Sequence, residues 1–427
     1  MVSLGSWINT LRIKKSTMSP SHLTKLEELK DPLRLQLMRL LDQLTTCMYL
    51  TQDSRMSSVI FRNLNWTLHY GYCEHSPPAF ALASLYLVGI VNDLQGGRVY
   101  GEQALELLKR TDSRYSVSRT YMLVYGNTFA WTHQARDLCK PLFNGYEIGL
   151  KTGEIESALW NAYYLINVRF MLGTSLETLV GDLTTYSLQM RDLKRNIMAC
   201  LCDSMKQVML NVMGRDNQDS PTQWYGEAFS EEDQRTWDND EYQMSLSWSS
   251  LLNTYFGNYI ECAEICLAVG HDFIAKARPA SISIMWNTFF SGVSCFAAAR
   301  EAEDAEYAKL GRQIRKKIKG WVAMGNPNCK YYDMLLEAEF LVYKGQHKTA
   351  IKQFEAAFMF AARSGYQHDA AFAAQRLGDF YLNVMDDQEE ATYRLGEAIK
   401  YWKGWGAHAI VSSIQARYSD LELDCVS

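Results

Sequence analysis

Cys262 and Cys266, in the stretch YIECAEICLAVG, stand four residues apart and so share one helical face, where two thiolates could bind a metal. A structural zinc site needs four ligands, and no second pair at ligand spacing follows, so no metal ligands are assigned. GLKTGE (Gly149 to Glu154) and YKGQHKTA (Tyr343 to Ala350) contain Gly, Lys and Thr but lack the two-glycine spacing with Lys-Ser/Thr that lets backbone amides cradle phosphates. A kinase catalytic loop, an Asp-Phe-Gly element and a Gly-x-Ser-x-Gly nucleophile elbow are missing as well. The 8 histidines are isolated. His368, in GYQHDAAFAAQRL, precedes an acidic residue as a phospho-acceptor histidine does, but neither a proline-containing helix nor an ATP-binding domain follows, so it is expected to be an exposed residue at a helix start. The sequence therefore assigns no catalytic, cofactor-binding or metal-binding residue, and the chain is expected not to be an enzyme.

Two charge concentrations remain. KLGRQIRKKIKGW carries Lys309, Arg312, Arg315, Lys316, Lys317 and Lys319 and could meet an acidic or phosphate-rich partner. Ile314, Ile318 and Trp321 give the same stretch an apolar side, which makes it an ordinary amphipathic helix with a solvated cationic face before a stop at Gly320. GRDNQDSPTQWYGEAFSEEDQRTWDND is polar, with Ser220, Pro221 and Gly226 as breakers. Its carboxylates, Glu231, Glu232, Asp233, Asp238, Asp240 and Glu241, lack the glycine that a calcium loop needs at its turn, so an acidic linker is expected. A net charge of -5 in 427 residues removes the simplest case for nucleic-acid binding. The 10 cysteines are scattered through apolar stretches, as reduced thiols of a cytoplasmic protein are. The longest apolar run, AFALASLYLVGIV (Ala79 to Val91), is too short to span a bilayer and reads as a buried helix. The N-terminus has no acidic residue before Glu27, a weak transit-peptide feature.

Helices must position all of these residues. With 48% hydrophobic, 12% aromatic and only 8 proline residues, long helices with large packing side chains are expected, and strand-like alternation is scarce. YGEQALELLKR places Ala104, Leu107 and Leu108 on one face. HKTAIKQFEAAFMFAARSG carries the stripe Ala350, Phe354, Ala357, Phe358 and Ala361 and ends at Gly365. Thr174 with Glu177, and Asp386 with Glu389, have capping-box spacing.

The helices come in pairs. In RLGDFYLNVMDDQEEATYRLGEAIKYWKGWGA, Leu377, Gly378 and Tyr381 resemble the first helix of a tetratricopeptide repeat, and Ala391, Leu395 and Ala398 the second. Ala338, Ala350, Phe354 and Ala357 form a weaker preceding unit. LLNTYFGNYIECAEICLA (Leu251, Tyr255, Gly257, Tyr259, Ala263) reads as a helix, tight turn and helix, and GYEIGLKTGEIESALWNAYYLINVRFMLGTSLETLVGDL as one more. Stacked pairs bury their faces against neighbours and leave a concave surface free.

The order of SPPAFALASLYLVGIVNDLQGGRVYGEQALELLKR, of the segment from SRTYMLVYGNTFAWTHQ to MLGTSLETL, of GEAFSEED and of AAFAAQRLGDFYLNVMDDQEEATYRLGEAIKYWKGWGAHAIV resembles the helical-repeat region of very large signalling proteins. Those proteins join a serine/threonine-kinase-like domain, an AAA-type ATPase, this region, a GAF domain and a sensor histidine kinase. The resemblance spans about residues 35 to 415. It carries over no site residue, because the family's catalytic residues lie outside the matched region. It implies a link between an ATPase switch and an output kinase, and a surface for a regulator. The expected fold is all-α, an α-solenoid of tetratricopeptide-like helix-turn-helix repeats: an N-terminal tail (1–30), one array (31–213), a polar linker (214–240), a second, tetratricopeptide-like array (241–415) and a C-terminal tail (416–427). The expected function is a non-catalytic scaffold in intracellular signal transduction, with protein or peptide partners, kinase or ATPase domains in cis or trans among them, and with no cofactor, nucleic acid or membrane span. The alternative is the regulatory middle segment of a multidomain ATPase or histidine kinase in a phosphorelay.

Overall fold

The computed structural model describes residues 4–15, 23–51, 53–111, 114–215, 220–230, 232–233, 239–421 and 423. Among them the chain is all-α; its one β-contact is an isolated bridge between Glu28 and Tyr72. It divides into two compact units, the first comprising residues 1–165, 279–282 and 324–327, the second 166–278, 283–323 and 328–427.

The first unit contains α1 (Leu4–Lys15), α2 (Pro32–Leu50), α3 (Met56–Tyr70), α4 (Ser76–Gly89), α5 (Leu94–Arg110), α6 (Val117–Leu123), α7 (Cys139–Thr152) and the start of α8 (Ile155–Met171). The expected buried helix at Ala79 is α4, buried from Ser76 to Val88 because neighbours cover it all round. Its closest neighbour is α5, where Gly97 and Gly101 face it; Ser84 Oγ reaches the Gly97 carbonyl at 2.7 Å, and a Cβ on Gly101 would come within 2.7 Å of the Phe129 ring. Ala104, Leu107 and Leu108 are buried on that face of α5, as the sequence implies. The first 30 residues contain α1, which docks through Thr10 on the Tyr86 hydroxyl (2.8 Å) and offers the Ile13 carbonyl to the Tyr100 hydroxyl (2.5 Å).

The second unit runs from the end of α8 through α9 (Leu176–Asp192), α10 (Asn196–Met213), α11 (Asn239–Phe256), α12 (Tyr259–Val269), α13 (Phe273–Ala277), α14 (Ser283–Glu301), α15 (Ala305–Ala323), α16 (Lys330–Tyr343), α17 (His347–Ser364), α18 (Gln367–Asn383), α19 (Gln388–Trp405) and α20 (His408–Arg417). Most consecutive helices are joined by turns of two to four residues and pack as hairpins, α18 on α19 most extensively. The apolar stripe of α17 is buried and ends at Gly365 in the left-handed conformation, and the turn of the α11–α12 hairpin is Gly257 at φ +81°. The last helices return to the first: α20 packs on α10 and α11, and the Trp405 indole donates to the Thr174 carbonyl at 2.9 Å.

The tetratricopeptide-like residues meet as their types require. Gly378 of α18 lies against Leu395 of α19 so closely that a Cβ would stand 2.7 Å from Leu395 Cγ and 3.2 Å from its backbone nitrogen. Ala391, Leu395 and Ala398 are buried on the facing side.

Three local expectations are corrected. Both capping boxes shift by one residue: Ser175 caps α9 by accepting from Thr178 N–H, and Asp387 caps α19 by accepting from Glu390 N–H, while Asp386 takes φ +54° in the turn. The basic helix α15 does not stop at Gly320 but continues to Ala323, because Trp321 is buried on the same face as Ile314 and Ile318. The expected linker 214–240 joins two helices of the same unit, and the division between units falls after Leu165, within α8. Residues 216–219, 231 and 234–238 of that linker, Glu231 and Asp238 included, lie outside the described residues, as do the side chains of Asp240 and Glu241.

The Gly378 contact yields a test. Alanine gains about 1 kcal/mol of helix propensity over glycine, but overpacking costs about 1–3 kcal/mol. Gly378→Ala is therefore expected to lower stability by about 1–2 kcal/mol in chemical denaturation, and by less in a Leu395→Ala background, where the side-chain contacts are gone and only the 3.2 Å approach to the residue 395 backbone nitrogen remains.

Candidate functional site

The second unit contains a cavity of about 850 Å³ lined by α12, α14, α16, α17, α18 and α20, by the start of α19 and by the turns beside them. Val342, Phe354, Phe380 and Leu382 supply apolar wall. Its floor is a network of charges. The Glu339 carboxylate, 0% exposed, accepts from Arg376 Nε at 2.7 Å and Nη2 at 3.2 Å and from Arg300 Nη2 at 2.7 Å. Arg376, itself 5% exposed, donates from Nη1 to the Tyr259 hydroxyl (2.6 Å) and to Asp379 (3.0 Å), and its guanidinium lies 4.6 Å from the Tyr259 ring centre. Asp379 accepts in turn from the Tyr418 hydroxyl at 2.6 Å. Five segments, α12, α14, α16, α18 and the turn after α20, thus converge in a network of two guanidiniums and two carboxylates.

The electrostatics follow from burial and pairing. Burial pushes the Glu339 carboxyl up, but Arg376 and Arg300 outweigh it and hold the group below the usual carboxylate range. Burial pulls the Arg376 guanidinium down, and Glu339 with its neighbours more than reverses this. Burial pushes Tyr259 up to about 12. Glu301, on the wall, has its carboxyl raised, first by burial.

The residues that the sequence offered as chemistry lie elsewhere. Cys262 and Cys266 are buried in α12; Thr254 Oγ1 donates to Cys262 Sγ at 3.5 Å, and Cys266 pairs with the Cys295 thiol. That pairing draws the Cys266 thiol down and pushes Cys295 up. Among the described residues no three His, Cys, Asp or Glu side chains are grouped to hold a metal ion. His368 is not exposed at a helix start: it is 3% exposed, and its ring stacks on Trp405 at 5.0 Å. The Phe170 ring also packs on it, and a Cβ on Gly173 would come within 3.0 Å of its Nδ1, which has no hydrogen-bond partner. Burial lowers this imidazole to about 3, so it is a neutral core group. In α15, Lys309, Arg312, Lys316 and Lys319 are exposed, and Arg315 is spent on Glu337. Gly149 is helical and Gly153 caps α7 in the left-handed conformation, while Gly345 turns the chain between α16 and α17. No helix among the described residues is long and apolar enough to cross a membrane.

A second polar cluster, in the first unit, was also hidden in the sequence. Arg119 Nη1 donates to Asp42 at 2.7 Å, the His75 ring lies 3.5 Å from the same carboxylate, and Glu154 accepts the Arg119 backbone N–H at 3.0 Å, at the start of α6. Burial raises the Glu154 carboxyl to about 7.

Charged residues in apolar helical register are the signal that could have found both clusters. Glu339 follows Leu335 and Leu336 by four and three residues, and Arg376 lies between Phe372 and Phe380 at four-residue steps. A charge there must be paired.

Two outcomes follow. Arg376→Met leaves Glu339 with one guanidinium and Asp379 with none, which should cost about 3–5 kcal/mol in chemical denaturation, and adding Glu339→Leu should restore part of that loss. Because Glu339 is held low, its stabilisation is present at neutral pH and lost as pH falls through its folded value. Glu154 has the opposite sign: its folded pKa, about 7, lies above 4.5, so its contribution is present at low pH and lost as pH rises. Glu154→Gln, compared with the unsubstituted protein in denaturant titrations, should therefore gain relative stability as pH rises from 4.5 to about 7.

No protein-family model matches the chain, and no curated protein matches it. Among solved structures it is similar to one described as "Circular tandem repeat protein with novel repeat topology and enhanced subunit contact surfaces", at 10% identity over 98% of this chain and 96% of that one. The TM-score is 0.17, and this likeness carries no argument here.

Proposed function

We propose that this chain is a non-catalytic helical-repeat scaffold whose second unit binds a peptide segment of a partner protein in its cavity. One observation carries the reading: a cavity of about 850 Å³ with apolar walls stands on a floor of charged residues that already satisfy one another. Such a floor stays in place without a ligand, and a preformed groove spares the ordering cost of binding. The helices around it present side chains at fixed positions, as grooves that accept a helix or an extended peptide do.

The setting we propose is intracellular signal transduction, with kinase or ATPase domains, in cis or in trans, as the source of the segment. The support for that part is the resemblance of residues 35 to 415 to the helical-repeat region of multidomain signalling kinases.

Val384 lines the cavity at the end of α18 and is 39% exposed, so a larger side chain there occupies the cavity without disturbing the core. Dodecamer peptides selected from a displayed random library against the full chain are expected to bind the Val384→Trp protein at least about tenfold more weakly. Undiminished binding by every selected peptide, with the variant's thermal melt unchanged, would contradict the reading.

A further inference from the structure

The charges of the cavity specify the partner's chemistry beyond its being a peptide, and the inference rests on the peptide-binding reading above. Three guanidiniums line the cavity, and two are paired with carboxylates: Arg300 with Glu339, and Arg376 with Glu339 and Asp379, while Arg417 donates to the backbone carbonyl of Phe256 and keeps its charge. Four carboxylates line it. Glu339 and Asp379 are held by those arginines and by Tyr418, whereas Glu301 and Asp420 make no hydrogen bond or ion pair among the described residues. What the cavity has left to offer a ligand is two carboxylates against one guanidinium, an anionic balance.

The turns beside it have the same sign. Glu303 and Asp304 follow Glu301, and Asp386, Asp387 and Glu389 follow the lining residue Val384, against Lys344 on the turn after Val342. Burial raises the Glu301 carboxyl, and the charges of Arg376, Arg300 and Arg417 offset this only in part, none of the three standing within ion-pair distance of it. A cation brought to that wall meets two carboxylates that have no hydrogen-bonded partner to give up. Val384, 39% exposed, offers apolar contact on the lining. An acidic segment or a peptide's C-terminal carboxylate would find two of the three lining guanidiniums paired with carboxylates, and two unpaired carboxylates opposing it.

We propose that the cavity of the second unit binds a cationic segment of a partner protein, a lysine or arginine side chain seated between Glu301 and Asp420 with an aliphatic neighbour against Val384.

The test uses the full chain and the selected dodecamers whose binding is weakened by Val384→Trp. These are expected to share a Lys or Arg next to an aliphatic residue. Glu301 and Asp420 are exposed and unpaired, so Glu301→Lys with Asp420→Lys should leave the thermal melt unchanged. In fluorescence anisotropy the double variant should bind those peptides at least about tenfold more weakly, and should bind versions with the Lys or Arg replaced by Glu more tightly than the unsubstituted protein does. Cavity-dependent peptides that are acidic or uncharged, or cationic peptides indifferent to the charge reversal, would overturn the proposal and leave the peptide-binding reading standing. If no peptide depends on Val384, that reading falls and takes this proposal with it.

Discussion

The Glu339 carboxylate has no exposed surface, and the second unit is organised around keeping it charged. A lone carboxylate there would carry a desolvation penalty of several kcal/mol, which only opposite charge in hydrogen-bonding contact offsets. Arg376 and Arg300 supply that charge from α18 and α14. Their remaining donors then fix what lies around them: the Tyr259 hydroxyl of α12, Asp379 one turn along α18, and through it Tyr418 beyond α20. Each bond removes freedom from a different helix, so the cavity inherits a floor of fixed shape and fixed charge.

Aromatic packing ties α14 and α18 to α8, α11 and α19. The Trp248 and Trp286 rings stack at 5.0 Å, Phe170 packs edge-on against both, and Tyr255 contacts Trp402, Trp405 and Phe372. The indoles of Trp402 and Trp405 keep their N–H groups bonded, to Gln375 at 2.9 Å and to Thr174 O at 2.9 Å. Large rings fill the gaps between stacked helix pairs, while Gly378 and the buried alanines let α18 and α19 approach. The ion network adds less to the hydrophobic stabilisation than it adds to alignment: apolar contacts tolerate small slips, whereas hydrogen-bonded charges set the register of α14, α16 and α18.

The fold was largely legible because helical periodicity survives in a single sequence. The Ala350–Phe354–Ala357–Phe358–Ala361 stripe, the Gly257 turn and the Gly378–Leu395 contact were all readable from residue type and spacing. Caps were legible only to within one residue, since Thr174 and Ser175, or Asp386 and Asp387, offer the same oxygen chemistry, and backbone geometry decides between them. The site was not legible. Its network joins Tyr259, Arg300, Glu339, Arg376 and Tyr418, and Tyr259 and Arg376 are 117 residues apart, so no local motif contains it. His368 misled for a related reason: its position near the start of α18 suggested solvent, but the α8–α9 turn and Trp405 cover it. Tertiary neighbours, which no local window holds, made that difference.

Hydrogen exchange of the full chain, with and without a saturating cavity-selected peptide, tests the central claim most directly. If the cavity binds a peptide on a preformed floor, protection should rise at the ends of α16 and α18 and around Arg417 to Leu421, while amides around Glu339 and Arg376 are already slow in the free protein. Protection confined to the first unit, or floor amides that exchange fast until peptide is added, would contradict it.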